Sequence, residues 1–391
     1  LILDEKNKEA HDIYFSVPNH FAEFLCHEVA DAFVVAMLLP ALFSGQDIKI
    51  KGALSDGLYY QIENNITYLF SYVFSKKPIK IYPDKIESVE FKTSAVGTGF
   101  SGGIDSFTTV LQHNSDIIDS YKLTHLTLFN VGSYGNDLEN SKIHFQNDIN
   151  RAREFAEYSE KPLLTLESNL NIFYSDNSHR IYNFSPRSTV CLISGVLAIQ
   201  KLFKYYLIAS TGIIDDFRFD EYDQYYYEWL VASFLSNKNT VFIIAESDMD
   251  RVDKTKFIAD NPIAQERLYV CAADIYNEKH GTNYKKDTAP NCSECIKCER
   301  TLITLDLLGK LDVFSSRFDL EKYKKNKDKV FCSVIEGHKR DHFLDEIYNL
   351  MKEVNFKIPF KYKVAVLLLK IKRLLAKNEI IRVVYRFFLK K

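Results

Sequence analysis

Two short stretches of this chain place residue types at spacings that do chemistry. The first is Gly99-Phe100-Ser101-Gly102-Gly103-Ile104-Asp105-Ser106, where an apolar run ends in two adjacent glycines and passes into Ser/Thr-rich sequence with Ser106, Thr108 and Thr109. Glycines permit positive φ and let backbone amides approach an anion. A helix that starts there adds unpaired N–H groups and the positive end of its dipole, and Ser101 and Ser106 add hydroxyl donors. Such a segment is a cradle for polyphosphate. It lacks the Gly-Lys-Ser/Thr ending of the commonest phosphate loop and is not a dinucleotide fingerprint. An ordinary glycine-rich turn capped by Ser106 is the plain alternative, and it leaves Ser101 and Asp105 as coincidences.

The second stretch is Cys292-Ser293-Glu294-Cys295-Ile296-Lys297-Cys298. Three thiolates at this spacing occupy one face of a metal tetrahedron, and a fourth ligand closes it. Cys271 is the nearest candidate. With seven cysteines in all and three of them so close together, a reducing compartment and a metal fit better than disulfides. Zinc is favoured because four cysteines close its tetrahedron and leave no open position, which makes a structural knuckle the expected role. An iron–sulfur cluster and a redox relay are the alternatives. Cys26, Cys191 and Cys332 sit in apolar surroundings and read as core residues.

The elements that must position these residues follow from periodicity. Between about 91 and 260 short apolar strands alternate with helices: strand Ala95–Phe100, helix Ser106–His113, strand Leu123–Val131, helix Asn147–Ser159 and strand Pro162–Glu167. Helix Thr189–Phe203, strand Tyr205–Ser210, strand Val241–Ala245 and a charged helix over Asp253–Ala259 complete the series. This alternation predicts an α/β fold, a doubly wound parallel sheet with helices on both faces. Ligands of such sheets bind beyond the carboxyl ends of the strands. Residues 1–90 read as a small α/β extension with helix Phe21–Phe43, strand Asp47–Lys51, helix Tyr59–Phe74 and strand Pro78–Tyr82. The expected organisation is therefore 1–90, 91–310 with the cysteine cluster, and a helical, basic extension at 311–391.

Composition narrows the functional classes. The chain has 391 residues, 46% of them hydrophobic and 26% charged, and a net charge of −2, which speaks against a dedicated nucleic-acid coat. Asp4-Glu5-Lys6 is too polar for a signal h-region, and the longest apolar run, Phe33–Phe43, is broken by Pro40 and reads as a buried helix. A cytoplasmic location is expected. From Lys361 onward the chain carries Lys361, Lys363, Lys370, Lys372, Arg373, Lys377, Arg382, Arg386, Lys390 and Lys391 against Glu379 alone. A docked pair of helices with solvated lysines accounts for this, and so does an anionic membrane surface, an RNA or another acidic partner.

The Ser101–Ser106 stretch matches the SGGxDS signature of the PP-loop ATP pyrophosphatases, the adenine nucleotide alpha hydrolase-like superfamily, at every position. The resemblance implies that Ser101, Gly102, Gly103, Ile104, Asp105 and Ser106 bind the phosphates of ATP, with Mg²⁺ on the polyphosphate and Asp105 beside it. A substrate oxygen then attacks the α phosphorus, pyrophosphate leaves, and a nucleophile displaces AMP from the adenylate. Phe129, in Phe129-Asn130-Val131-Gly132, falls where relatives contact adenine. Thr211-Gly212-Ile213-Ile214-Asp215-Asp216 resembles the loop that closes the nucleotide site, with Gly212 and Asp215 as its key positions, although Ile213-Ile214 replaces the usual His-Asn step. A plain surface loop is the alternative for this segment. Pro186-Arg187-Ser188-Thr189 is similar to a Pro-x-Arg-Asn segment of the deazaguanine branch, with the Arg offset by one and the Asn replaced. A guanidinium there suits phosphate or carboxylate. Lys254 corresponds to a lysine that meets the leaving pyrophosphate, and a solvated lysine is its ordinary reading.

Bacterial 7-cyano-7-deazaguanine synthases carry a PP-loop, a lone cysteine, then Cys-x-x-Cys-x-x-Cys followed by Arg, and use the four thiolates for Zn²⁺. This chain has that order as Cys271, Cys292, Cys295, Cys298 and Arg300, and the likeness spans roughly 95 to 305. It implies a ligase-type enzyme with catalytic Asp105, Ser106, Arg187 and Lys254 that adenylates a carboxylate or amide-like carbonyl for attack by nitrogen. The acceptor is a small molecule, a protein or a saccharide. A PP-loop sulfur transferase acting on tRNA or a small molecule, and a non-catalytic ATP-binding sensor or scaffold, are the other readings. Homo-oligomerisation is left open.

Overall fold

The run of short apolar segments builds a six-stranded sheet in the order β1-β6-β5-β4-β7-β8. Its strands are β1 (Phe15–Ser16), β4 (Ala95–Gly99), β5 (His125–Asn130), β6 (Leu163–Ser168), β7 (Phe203–Ala209) and β8 (Val241–Ala245). Every neighbouring pair is parallel except β1 on β6. β2 (Ile48–Ser55) and β3 (Ile81–Glu87) form a separate parallel pair. The computed structural model describes residues 12–135, 138–174 and 180–377, so the polar opening at Asp4–Lys6 and the basic residues from Arg382 onward lie outside the described residues.

The chain parts into two compact units, Leu1–Asp250 and Arg251–Lys391. The boundaries drawn from the sequence, near 90 and 310, both fall inside these units. In the first unit one continuous core explains why residue 90 is no break. Met37, Leu38, Leu58 and Phe70 of the opening segment share a hydrophobic cluster with Phe129, Leu166, Val196, Tyr206 and Phe242. The helices here are α1 (Asp31–Ser44), α2 (Asp56–Gln61), α3 (Thr67–Phe74), α4 (Ile104–His113), α5 (Leu138–Tyr158), α6 (Ser188–Ala198) and α7 (Glu228–Leu235).

Both faces of the sheet are packed. Tyr206 and Ile208 of β7 join the large cluster with α6, while the alternating Tyr205 and Leu207 pack with Val96 and Ala245. That period-two split, with apolar residues on both sides, is what a strand covered on both faces requires. Phe100, at the end of β4, stacks on Phe155 of α5 at 4.1 Å and meets Phe107 of α4 edge-on at 5.1 Å.

Several expected elements differ in the structure. The helix foreseen over Phe21–Phe43 begins only at Asp31. Residues 19–24 form a 3₁₀ turn after Pro18, and the next backbone donors are used elsewhere: Cys26 N–H donates to Ala198 O and Ala30 N–H to Ala53 O. Asp31 is fully buried, and its carboxylate accepts from the Ser55 amide at 3.0 Å and the Ser55 hydroxyl at 2.7 Å. α6 stops at Ala198, not Phe203. Leu202 and Phe203 belong to the approach and start of β7, because a buried helix and a buried strand are equally apolar in sequence. α5 begins at Leu138, nine residues before the expected Asn147. A π-helical turn at Ile62–Ile66 joins α2 to α3 within the stretch read as one helix.

The second unit is helical: α8 (Arg251–Ala259), α9 (Pro262–Arg267), α10 (Ala273–His280), α11 (Ile296–Leu307), α12 (Leu320–Gly337), α13 (His342–Glu353) and α14 (Phe360–Lys377). Val330, Phe331, Val334, Leu350 and Met351 form its core with Tyr362 and Val366. Among the described residues no helix is long and apolar enough to cross a membrane.

Candidate functional site

β4 occupies the middle of the sheet, and the strand order reverses beside it. From β4 the chain goes to β5 and then β6 on one side, and returns with β7 and β8 on the other. A crevice opens outside the carboxyl ends of the strands at such a reversal. The segment Phe100–Gly103 leaves β4 at that point and enters α4 at Ile104.

Local geometry in this loop follows from its two glycines. Gly102 is buried with φ +77°, a conformation that a side chain disfavours. Gly103 is extended and sits at the N-cap of α4, where no side chain caps the first turn. The Gly103 amide donates to Ser101 Oγ at 3.4 Å, and the amides of Ile104 and Asp105 follow in the first turn at the positive end of the helix dipole. Ser101 is exposed and its hydroxyl lies 3.3 Å from that of Ser106, which is buried and donates to Gly103 O at 3.1 Å. Ile104 is wholly buried and anchors the helix, and Asp105 is half-buried on its first turn.

The neighbouring strand ends bring further sequence candidates to the same edge of the sheet. Phe129 lies in β5 with its ring buried against α6, where a Cβ on Gly195 would come within 3.1 Å of it. Beyond β5, Gly132 has φ +108°, and a Cβ there would lie 2.5 Å from Arg187 Nη1 and 2.6 Å from Asn171 Oδ1. Arg187 is completely buried at the start of α6. Its guanidinium lies over the Tyr174 ring at 4.2 Å and the Phe184 ring at 5.3 Å, and Nη1 donates to Cys191 Sγ at 3.6 Å. Beyond β7, the Tyr225 ring would lie 2.9 Å from a Cβ on Gly212, and Asp215 is exposed on a 3₁₀ turn. Lys254 is fully buried in α8 of the second unit, where the ordinary expectation was a solvated lysine.

One tie went unforeseen. Glu246 follows β8 with φ +51° and is buried. Its carboxylate accepts from the Thr109 hydroxyl and lies 3.1 Å from His113 Nε2, so it holds the helix that follows the Ser101–Gly103 loop. His113 Nδ1 lies 3.0 Å from Asp116. The hydrogen bond to Glu246, with help from Asp116 and against the opposing pull of burial, raises His113 above the ordinary histidine range. No motif announces this glutamate, since a lone acid after a strand is common.

The four sequence-predicted cysteines meet in the second unit. Their sulfurs all lie within 4.8 Å of one another. Cys292 and Cys298 are 3.9 Å apart, and Cys295 and Cys298 3.5 Å. A tetrahedral ion with bonds of about 2.3 Å to sulfur demands edges of about 3.8 Å, so the set fits a metal such as zinc. Cys295 is the N-cap of α11 and Cys298 lies in its first turn. Ser293 takes φ +63°, and this turn lets Cys295 N–H donate to Cys292 Sγ at 3.2 Å. Cys271 Sγ accepts from Cys292 N–H at 3.3 Å and Ala273 N–H at 3.4 Å. Hydrogen bonds from the surrounding Cys271, Cys292 and Cys298 hold the Cys295 thiol well below its ordinary range, while the same contacts push Cys298 far up. A metal held here would take all four as thiolates, and its charge would offset theirs.

Asn291, also unforeseen, joins the two halves of this cluster. Buried beside Cys292, its Oδ1 accepts from Val270 N–H at 2.8 Å and Cys271 N–H at 3.0 Å, and its Nδ2 donates to Leu268 O and Arg317 O. Arg300, two residues past the last cysteine, pairs with Asp341 at 2.7 Å and lies over the Phe343 ring at 4.4 Å. Comparison of the chain with protein-family models, with curated proteins and with solved structures returned no match.

Proposed function

We propose that this protein is an ATP-dependent adenylating enzyme of the PP-loop type, built on a doubly wound, Rossmann-like sheet and resembling the 7-cyano-7-deazaguanine synthases in its motifs. One observation carries the reading. The Ser101–Ser106 signature leaves the central strand where the strand order reverses, and it opens a helix whose first turn has no side-chain cap. Ligand crevices form at such a point, and helix amides there suit phosphate oxygens.

In this reading ATP supplies an activated α phosphorus, which a carboxylate or amide-like oxygen of the substrate attacks with loss of pyrophosphate. Nitrogen then displaces AMP. The chain's own residues bind and orient. The amides of Gly103 and Ile104 and the hydroxyls of Ser101 and Ser106 hold the β and γ phosphates, and Asp105 faces the Mg²⁺ that accompanies them. Fixed donors of this kind stabilise charge on the departing pyrophosphate without reorganising. Gly212 and Asp215, beyond β7, border the nucleotide from the other side of the reversal. Arg187 acts from beyond β5 as a positioning residue, because its guanidinium is held by aromatic rings. Lys254 is assigned to the leaving group by resemblance alone. Zn²⁺ on Cys271, Cys292, Cys295 and Cys298 is structural, since four thiolates leave no open coordination position.

The test is product analysis after incubating the full chain with ATP, Mg²⁺, ammonia and a panel of carboxylic acids. Equimolar AMP and pyrophosphate with at least one acid is the expected result. ADP and phosphate would contradict the reaction class, and ATP bound without turnover on any acid would favour a sensor. Iron with a visible absorption band in place of zinc would move sulfur transfer ahead of nitrogen transfer.

A further inference from the structure

Among its described side chains, α14 buries those of one face. Tyr362 and Val366 are buried in the core of the second unit, with the Tyr362 ring 5.7 Å from Phe331 and its hydroxyl donating to Asp328 at 2.7 Å. On the opposite side Phe360, Val364, Leu367, Leu368 and Ile371 are 78%, 38%, 58%, 59% and 42% exposed. Their spacing, i, i+4, i+7, i+8 and i+11, is one continuous helical stripe. At 100° per residue the stripe spans roughly 100°, and the positions of Lys361 and Lys372 flank one edge while those of Lys363 and Lys370 flank the other.

An aliphatic stripe with cations on both borders has the character of a helix that lies in a membrane interface, with apolar side chains sunk to the acyl boundary and lysine stems reaching up to lipid phosphates. The charge distribution agrees. Residues 361–391 hold ten basic side chains and Glu379 as their only acid, in a chain whose net charge is −2. The remainder of the chain is therefore acidic, so an anionic surface attracts this end and repels the rest. A nucleic acid would be met by cations and stacking rings, whereas four of the five stripe residues are Val, Leu or Ile. A second copy of the same helix would bring two strongly cationic segments together. No described helix spans a bilayer, which fits a helix lying on the surface.

We propose that α14 docks this protein on the surface of anionic lipid bilayers through Phe360, Val364, Leu367, Leu368 and Ile371. The proposal is independent of the adenylating activity. Flotation of the full chain with vesicles of phosphatidylcholine alone, or mixed with phosphatidylglycerol, tests it, alongside the Leu367→Gln/Leu368→Gln variant. Both leucines are exposed, and Gln is a good helix former, so the variant keeps the wild-type melting temperature. The expected result is binding to the mixed vesicles only, weakened by salt, with a roughly tenfold or greater loss of partitioning in the variant. Absence of binding to the mixed vesicles would overturn the proposal. So would equal binding by the variant, or a salt-stable dimer of the wild type that the variant dissociates, since a second copy would then cover the stripe.

Discussion

Asp105 stands on the first turn of α4, half-buried, in a position where a negative side chain complements the helix dipole. Replacing it with Ala forfeits about 0.3–1 kcal/mol of that interaction, too little to unfold a domain. In the proposed role the same carboxylate serves Mg²⁺ on the polyphosphate, where its removal acts on turnover. Asp105→Ala is therefore expected to lose pyrophosphate release by orders of magnitude while its urea midpoint stays near that of the wild type. A parallel fall in both would assign Asp105 to structure alone. The clustering of the cysteines was legible in the sequence because the CxxCxxC run is contiguous, so local chemistry declares it. Asn291 and Glu246 were not. Each acts across twenty or more residues of chain, Asn291 on the Cys271 amide and Glu246 on Thr109 and His113, and nothing in their local sequence records the partner.

Between elements, Glu246 ties the end of β8 to α4, the helix that follows the Ser101–Gly103 loop. His113 is raised above 6.5 by that contact. A raised folded value means the charged pair stabilises fully below about pH 6.5 and fades as pH rises through the folded value. Glu246→Gln removes the charge and keeps the shape. Its destabilisation is expected to be larger at about pH 6 than at about pH 9, on the order of 1 kcal/mol or more at the lower pH. Equal urea midpoint differences at the two pH values would show that the pair carries no such charge. The parallel strands β4 to β8 were readable as elements because their apolar runs are short and bounded. The start of α1 and the end of α6 were not, since tertiary hydrogen bonds to Ala53 and Ala198, and the continuous burial of Leu202 and Phe203, decide where the one begins and the other stops. Two-residue β1 carries no pattern long enough to read.

At the scale of the whole chain, the Ser101–Ser106 loop lies in the unit 1–250 and the cysteine cluster in the unit 251–391. Each has its own core, so two unfolding transitions are expected. A four-thiolate metal site is folding free energy for the unit that contains it, and its ligands must be deprotonated to bind. A strong chelator, or Cys292→Ser, is expected to release about one zinc per chain and to lower the thermal transition of the second unit by several degrees or more. The transition of the first unit is expected to stay in place. Metal-free protein with unchanged transitions would remove zinc from the architecture.

The adenylating reading stands first on whether the loop beyond β4 holds ATP, which needs no knowledge of the acceptor. Titration calorimetry of the full chain with ATP and Mg²⁺ measures this directly, with Gly102→Val as the control, because φ +77° at that position disfavours any side chain. The expected result is one ATP per chain for the wild type and roughly tenfold or weaker binding for the variant. A folded wild type that takes up no ATP, or a Gly102→Val variant that binds it equally well, would contradict the assignment of this loop.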